Sequence, residues 1–115
     1  MTYEEMPQMY VVEKTKHAVH TTVNFDIEET EDGYTCNSVT IVTDEPINAD
    51  SYGLIVASII RMRYSADDVE AIVNNYLLTK TAEHKSEMSA MQDWRKKAKE
   101  VAKSIIESLN VENNE

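Results

Sequence analysis

The stretch Ser51 to Leu78, SYGLIVASIIRMRYSADDVEAIVNNYLL, most constrains what this chain can fold into. Its first half is an almost unbroken apolar run: Leu54, Ile55, Val56, Ala57, Ile59, Ile60 and Met62. Beyond Arg63 the apolar residues fall at Val69, Ile72, Val73, Tyr76 and Leu77, the spacing of one face of an amphipathic helix. A helix start lies between the two. Ser65 is placed to cap, Asp68 stands three residues on as its capping-box partner, and Tyr64 and Val69 occupy the two positions of a hydrophobic staple. Asp67, Asp68 and Glu70 set negative charge where the helix dipole is positive. Residues 51–78 therefore read as a helical hairpin: a mostly buried helix, a tight turn and a half-buried helix. On that reading Ile72→Asp should unfold the protein, because an unpaired buried charge costs several kcal/mol.

Upstream, between His17 and Thr43, the period becomes two. Val19, Thr21, Val23, Phe25 and Ile27 point one way, and His20, Thr22, Asn24, Asp26 and Glu28 the other. Tyr34 to Thr43 alternates as well, with Val39 and Ile41 on one face, so 17–43 is a β-hairpin. A two-residue Asp-Gly turn would set Asp26 opposite Val39, mixing charge with core. A three-residue loop, Glu31-Asp32-Gly33, sets Phe25 opposite Val39 and Val23 opposite Ile41. The second register is expected, with Gly33 in the left-handed conformation closing a bulge.

The remaining segments are read around these two. Residues 1–16, interrupted by Pro7, form a loose arm or an edge strand, with Met9 to Val12 as its extended part. Asp50 or Ser51 should cap the first helix, and Thr81 the last. A long helix over 82–109 carries the stripe Met88, Met91, Trp94, Ala98, Val101, Ala102, Ile105 and Leu109. That stripe packs on the helical hairpin or, as the alternative, forms a dimer seam. Residues 110–115 should fray.

At 115 residues the chain has room for one domain with a modest core. Of its net charge of −10, the first fifty residues hold −9, eleven acids against Lys14 and Lys16. An acidic half argues against nucleic acid or an anionic membrane as partner. Cys36 stands alone, which fits a reducing compartment. The N-terminus has no signal-peptide pattern and no apolar run reaches spanning length, so the expectation is a protein cytoplasmic at synthesis.

No constellation for catalysis, cofactor or metal stands out. His17 and His20 would face opposite sides of a strand, Cys36 should fall near Glu28, and His84 is on another element, whereas a metal needs three or four convergent ligands. The carboxylates lie in solvated clusters, Glu28 to Asp32 and Asp67 to Glu70, rather than as a shielded pair. Two glycines leave little room for a phosphate-cradling loop. A helix-turn-helix reading would point Ala66-Asp67-Asp68 at DNA phosphates with like charge. Asn74-Asn75-Tyr76 reads as exposed helix surface, with a polar contact as the alternative. The expectation is not an enzyme, with no cofactor and no metal.

Two segments, IIRMRYSADDVEAIVNNYL (Ile59 to Leu77) and MQDWRKKAKEVA (Met91 to Ala102), resemble small proteins encoded in phage and prophage structural gene clusters, near tail and tail-fibre genes. The resemblance covers the second half of the chain and implies a context, with no active site to carry over. The expected fold is α+β, a single domain in which an antiparallel hairpin of two to three strands packs against two or three helices. The helical hairpin would cover Val23, Phe25, Ile27, Val39 and Ile41, with Trp94 half-buried against that face. The expected function is a non-enzymatic phage structural or assembly protein acting through protein–protein contacts, with a phage protein or a second copy as partner and the virion as a destination. Met9 and Tyr10 on the arm, and Met88, Met91, Trp94 and Arg95 on the last helix, are its candidate interface. The alternative is an acidic regulator that mimics nucleic acid at a cationic site on an enzyme.

Overall fold

The computed structural model describes residues 2–113, and the side chains of 3–110. In chain order it contains β1 (Thr2–Tyr3), β2 (Tyr10–Lys14), β3 (Val19–Thr30), β4 (Gly33–Thr43), a 3-10 turn (Ala49–Ser51), α1 (Tyr52–Ile60), α2 (Ala66–Leu78) and α3 (Ala82–Asn113). The fold is α+β, as the two periodicities predict. Its sheet is antiparallel in the order β1-β4-β3-β2, so the arm supplies both outer strands. The chain divides into two compact units, 1–51 with 105–115 and 52–104, and α3 contributes to both.

In the sheet unit, β3 is the central strand and carries most of the burial. Val19, Thr21, Val23 and Phe25 are buried on one face, and Ile41 beside them on β4. The expected register is wrong by two residues. Val23 lies opposite Val39 and Thr21 opposite Ile41, while Phe25 faces Asn37. A shift of two leaves Val19 to Phe25 on their expected faces, so alternation alone could not detect it. Two local features set the offset. The turn is the two-residue Glu31-Asp32, closed by Thr30 opposite Gly33. The bulge lies between Phe25 and Glu28 instead of at the turn, with Asp26 at φ 52 as its extra residue. Asp is among the few residues that tolerate this conformation. The extra residue inverts the alternation, and Ile27 shares a row with Cys36, on the face opposite Phe25.

Gly33 has a φ of +136, and a Cβ there would collide with the carbonyl oxygen of Tyr3. Only glycine meets both demands, and it lets β1 close on β4 through the pairs Thr2–Thr35 and Tyr3–Tyr34.

In the helical unit the start of α2 forms as its sequence dictates. The Asp68 amide donates to the Ser65 hydroxyl at 3.0 Å, and the Ser65 amide donates to the Asp68 carboxylate at 2.9 Å. The Ser65 amide donating to the carboxylate, and after it the Ser65 hydroxyl, hold the Asp68 carboxyl below its usual range. Thr81 caps α3, its hydroxyl accepting from the His84 amide. The first helix is different. Neither Asp50 nor Ser51 caps it, because the chain enters through the 3-10 turn, where Asn48 accepts from the Asp50 amide and Ser51 from the Asn48 amide.

Burial in the helical hairpin falls short of expectation. In α1 only Ile55 and Ile59 are buried, and Tyr52 and Leu54 are exposed. In α2 no residue is buried: Val69, Ile72, Val73 and Tyr76 are half-buried, and Leu77 is exposed. Ile72→Asp therefore puts its carboxylate at a half-open surface, and the expected unfolding does not follow.

The stripe on α3 is the better-buried face. Met91, Trp94, Ala98, Ala102 and Ile105 are buried at spacings of three and four. Trp94 was expected half-buried, but it is 6 % exposed, its indole Nε1 donating to the Ile59 carbonyl at 3.0 Å. The Arg63 guanidinium lies 3.8 Å over its ring. Trp94 thus ties α3 to the end of α1, as a second donor to a carbonyl that also accepts from the Met62 amide. The helix runs past the expected end at Leu109 because Asn110 to Asn113 contains no glycine or proline to stop it. The rest of the expected frayed tail, residues 114 and 115, lies outside the described residues.

Candidate interaction surfaces

Three surfaces carry chemistry. The first follows the edge strand β2. Asn24 on β3, itself 6 % exposed, anchors the approach to this strand. Its amide donates to the Met9 carbonyl at 2.9 Å and its side-chain Nδ2 to the Gln8 carbonyl at 2.8 Å. The Ser38 hydroxyl donates to Asn24 Oδ1 at 2.6 Å, and the Cys36 thiol reaches the same oxygen at 3.8 Å. This network holds the Gln8 and Met9 carbonyls against β3, where the chain enters β2. Beside it runs an open cleft of about 440 Å³, lined by the consecutive residues Gln8 to Val12 and by Ser108 of α3.

The second surface is the far end of the β3–β4 hairpin. Asp26, Glu28, Glu29, Glu31 and Asp32 are all exposed within seven positions, with no basic residue among them. Charge divides sharply between the units. The sheet unit holds fourteen acids against Lys14 and Lys16, net −12, and the helical unit seven acids against nine bases, net +2.

The third surface belongs to the helical unit. Leu77 and Leu78 are 66 % and 81 % exposed, and Tyr52, Leu54 and Met62 are exposed too. Burying such side chains is worth roughly 1.5–3 kcal/mol each, so leaving several in water is an unmet driving force.

The candidate interface residues are distributed unevenly over these surfaces. Met91 and Trp94 are part of the chain's own core, which withdraws them from any partner. Met88 and Arg95 are half-buried on the same helix. Met9 is exposed and Tyr10 half-buried, both lining the cleft. Periodicity marked the α3 stripe as apolar but could not say whether the chain itself would cover it. The exposure of Leu77 and Leu78 was missed, because periodicity does not show where the packing against a helix ends.

Among the described residues no three His, Cys, Asp or Glu side chains gather to hold a metal. His20 lies on the Thr22 and Thr40 face of the sheet, while His17 is exposed before β3. Cys36 sits beside Asn24 and Ser38 instead of near Glu28, a consequence of the changed register. His84 Nδ1 lies 2.8 Å from both the carbonyl and the hydroxyl of Thr79, bracing the α2–α3 connection. No described helix is long and apolar enough to cross a membrane.

The residues thus define an α+β chain with a polarised charge distribution and exposed apolar side chains. Compared with protein-family models, curated proteins and solved structures, it matches none.

Proposed function

We propose that this is a non-enzymatic interaction protein, a phage structural or assembly component that works by burying apolar surface of its helical unit against a protein partner. The single observation carrying this reading is the under-buried helical hairpin: α2 has no buried residue, and Leu77 and Leu78 are largely in water. Exposed large apolar side chains gathered in one small unit favour association. The resemblance of Ile59 to Leu77 and Met91 to Ala102 to phage structural-cluster proteins supports the context.

The first test is mass spectrometry of purified phage particles beside the lysate of the same induced culture. Stoichiometric recovery in particles supports a virion component, and abundance in lysate alone supports an assembly factor. A Leu77→Ser, Leu78→Ser double variant should keep its melting temperature, since exposed substitutions usually stay within ~0.5 kcal/mol, but lose the partner. Retained partner binding would refute the helical surface as the contact.

A second reading is favoured by one observation, the net −12 of the sheet unit and its exposed hairpin carboxylates. On this reading the hairpin occupies a cationic site on a nucleic-acid enzyme. Binding through carboxylates weakens steeply with salt, whereas apolar assembly does not. A pull-down at low and high ionic strength separates the two.

A further inference from the structure

We propose that the outer edge of β2 is a strand-addition site for a cationic extended peptide segment. This surface is distinct from the helical one, and the inference does not depend on it. The backbone geometry carries the first part. Antiparallel partners alternate between exchanging hydrogen bonds and not exchanging them. The Asn24 amide donates to Met9 and the Thr15 amide donates to Ala18, so Met9, Val11, Glu13 and Thr15 turn their backbone groups toward β3. Val12 and Lys14 then turn theirs outward, where no strand of the described sheet lies. The opposite margin of the sheet is different, since β4 carries β1 over Tyr34 and Thr35.

A strand edge left open in this way is a template for another chain, which proteins usually blunt with charge, proline or a covering element. Here Pro7 precedes the strand and Glu13 and Lys14 close it, but the middle is Val11 and Val12, 46 % and 42 % exposed. They project to opposite faces, as an added strand's alternating side chains require. Five consecutive residues leading into and along this strand, Gln8 to Val12, line the cleft together with Ser108 of α3. Main-chain pairing with pockets for alternate side chains is the established physics of strand addition.

Charge selects the occupant. The cleft belongs wholly to the unit with net −12; Glu107 beside Ser108 and Glu13 on β2 are exposed, and the unit's only bases, Lys14 and Lys16, lie beyond the cleft's lining at the end of the strand. A second copy pairing through its own β2 would bring two such units together, which like-charge repulsion opposes. A segment bearing Lys or Arg gains where the copy loses.

The test uses the full-length protein and a fluorescent peptide of sequence Lys-Val-Arg-Val-Lys-Val, blocked at both ends, with Glu-Val-Glu-Val-Glu-Val as its acidic counterpart. Anisotropy titration should show saturable binding of the cationic peptide, and the Val12 and Lys14 amides should become protected from hydrogen exchange. N-methylation of alternate peptide bonds removes edge donors without changing charge, and should weaken binding by roughly tenfold or more. The Leu77→Ser, Leu78→Ser variant should bind the peptide as well as the parent, which separates this site from the helical surface. The proposal is overturned if the two peptides bind alike or neither binds. It is equally overturned if N-methylation has no effect, if protection maps to the Glu28 to Asp32 hairpin end, or if the free protein dimerises with Val12 protected.

Discussion

Trp94→Phe removes one hydrogen bond and part of one ring, and its cost can be assembled from the surroundings. The indole N–H donates to Ile59 at 3.0 Å inside a site that is 6 % exposed. The Ile59 carbonyl also accepts from the Met62 amide at 3.1 Å. It is therefore not orphaned when the indole goes, and the loss is that of a net hydrogen bond, about 0.5–1.5 kcal/mol, rather than the larger penalty of a stranded group. The smaller ring leaves space beside the buried stripe. Truncating an aromatic to alanine costs about 3–5 kcal/mol, and phenylalanine keeps most of that contact, so about 1 kcal/mol is assigned here. The Arg63 contact, worth about 0.5–1 kcal/mol at an exposed guanidinium, weakens over a less electron-rich ring. The total is about 1.5–3 kcal/mol. The assay is urea unfolding followed by far-ultraviolet circular dichroism, because Trp94 is the sole tryptophan and its fluorescence disappears with it. The midpoint should fall with the slope unchanged. Arg63→Ala alone should lose no more than ~1 kcal/mol. An unshifted midpoint in Trp94→Phe would refute the placement of the indole against α1.

Other perturbations probe other links. Thr21 Oγ is buried without a hydrogen-bond partner, so Thr21→Val, nearly the same shape, should raise the melting temperature by removing a cost of about 1–3 kcal/mol; a fall would mean that the hydroxyl is satisfied. Gly33→Ala should destabilise by more than ~1 kcal/mol, seen as a lower urea midpoint, since its φ is positive and the Cβ meets Tyr3. The Asp68 carboxyl is lowered in the fold, so its capping contribution is complete above the unfolded carboxylate range and lost as pH falls through the folded value. An acid titration of stability should accordingly show a shallower acid limb in Asp68→Asn than in the parent.

How much of this was legible follows from which forces are local. The start of α2 could be read letter by letter, because Ser65 and Asp68 satisfy each other's backbone within four residues, whatever lies around them. The faces of β4, and of β3 as far as Phe25, were legible because alternation fixes parity; Ile27, beyond the bulge, was misplaced. The register was not, since parity is blind to a shift of two, and the offset came from a bulge at Asp26 and a turn one residue shorter than expected. Gly33 was identified as the residue needing a positive φ, but not the approach of Tyr3 that makes it indispensable. That approach joins residues thirty positions apart.

The interaction surfaces divide along the same line. The acidity of the first half was plain in composition, and so was the apolar stripe of α3. Composition could not say that Met91 and Trp94 would be used up inside the chain while Leu77, Leu78, Val11 and Val12 stayed in water. A side chain's type sets how strongly it favours burial, and its neighbours along the chain set which way it points. Whether anything waits there to cover it depends on residues far away in sequence, and only the tertiary structure decides that.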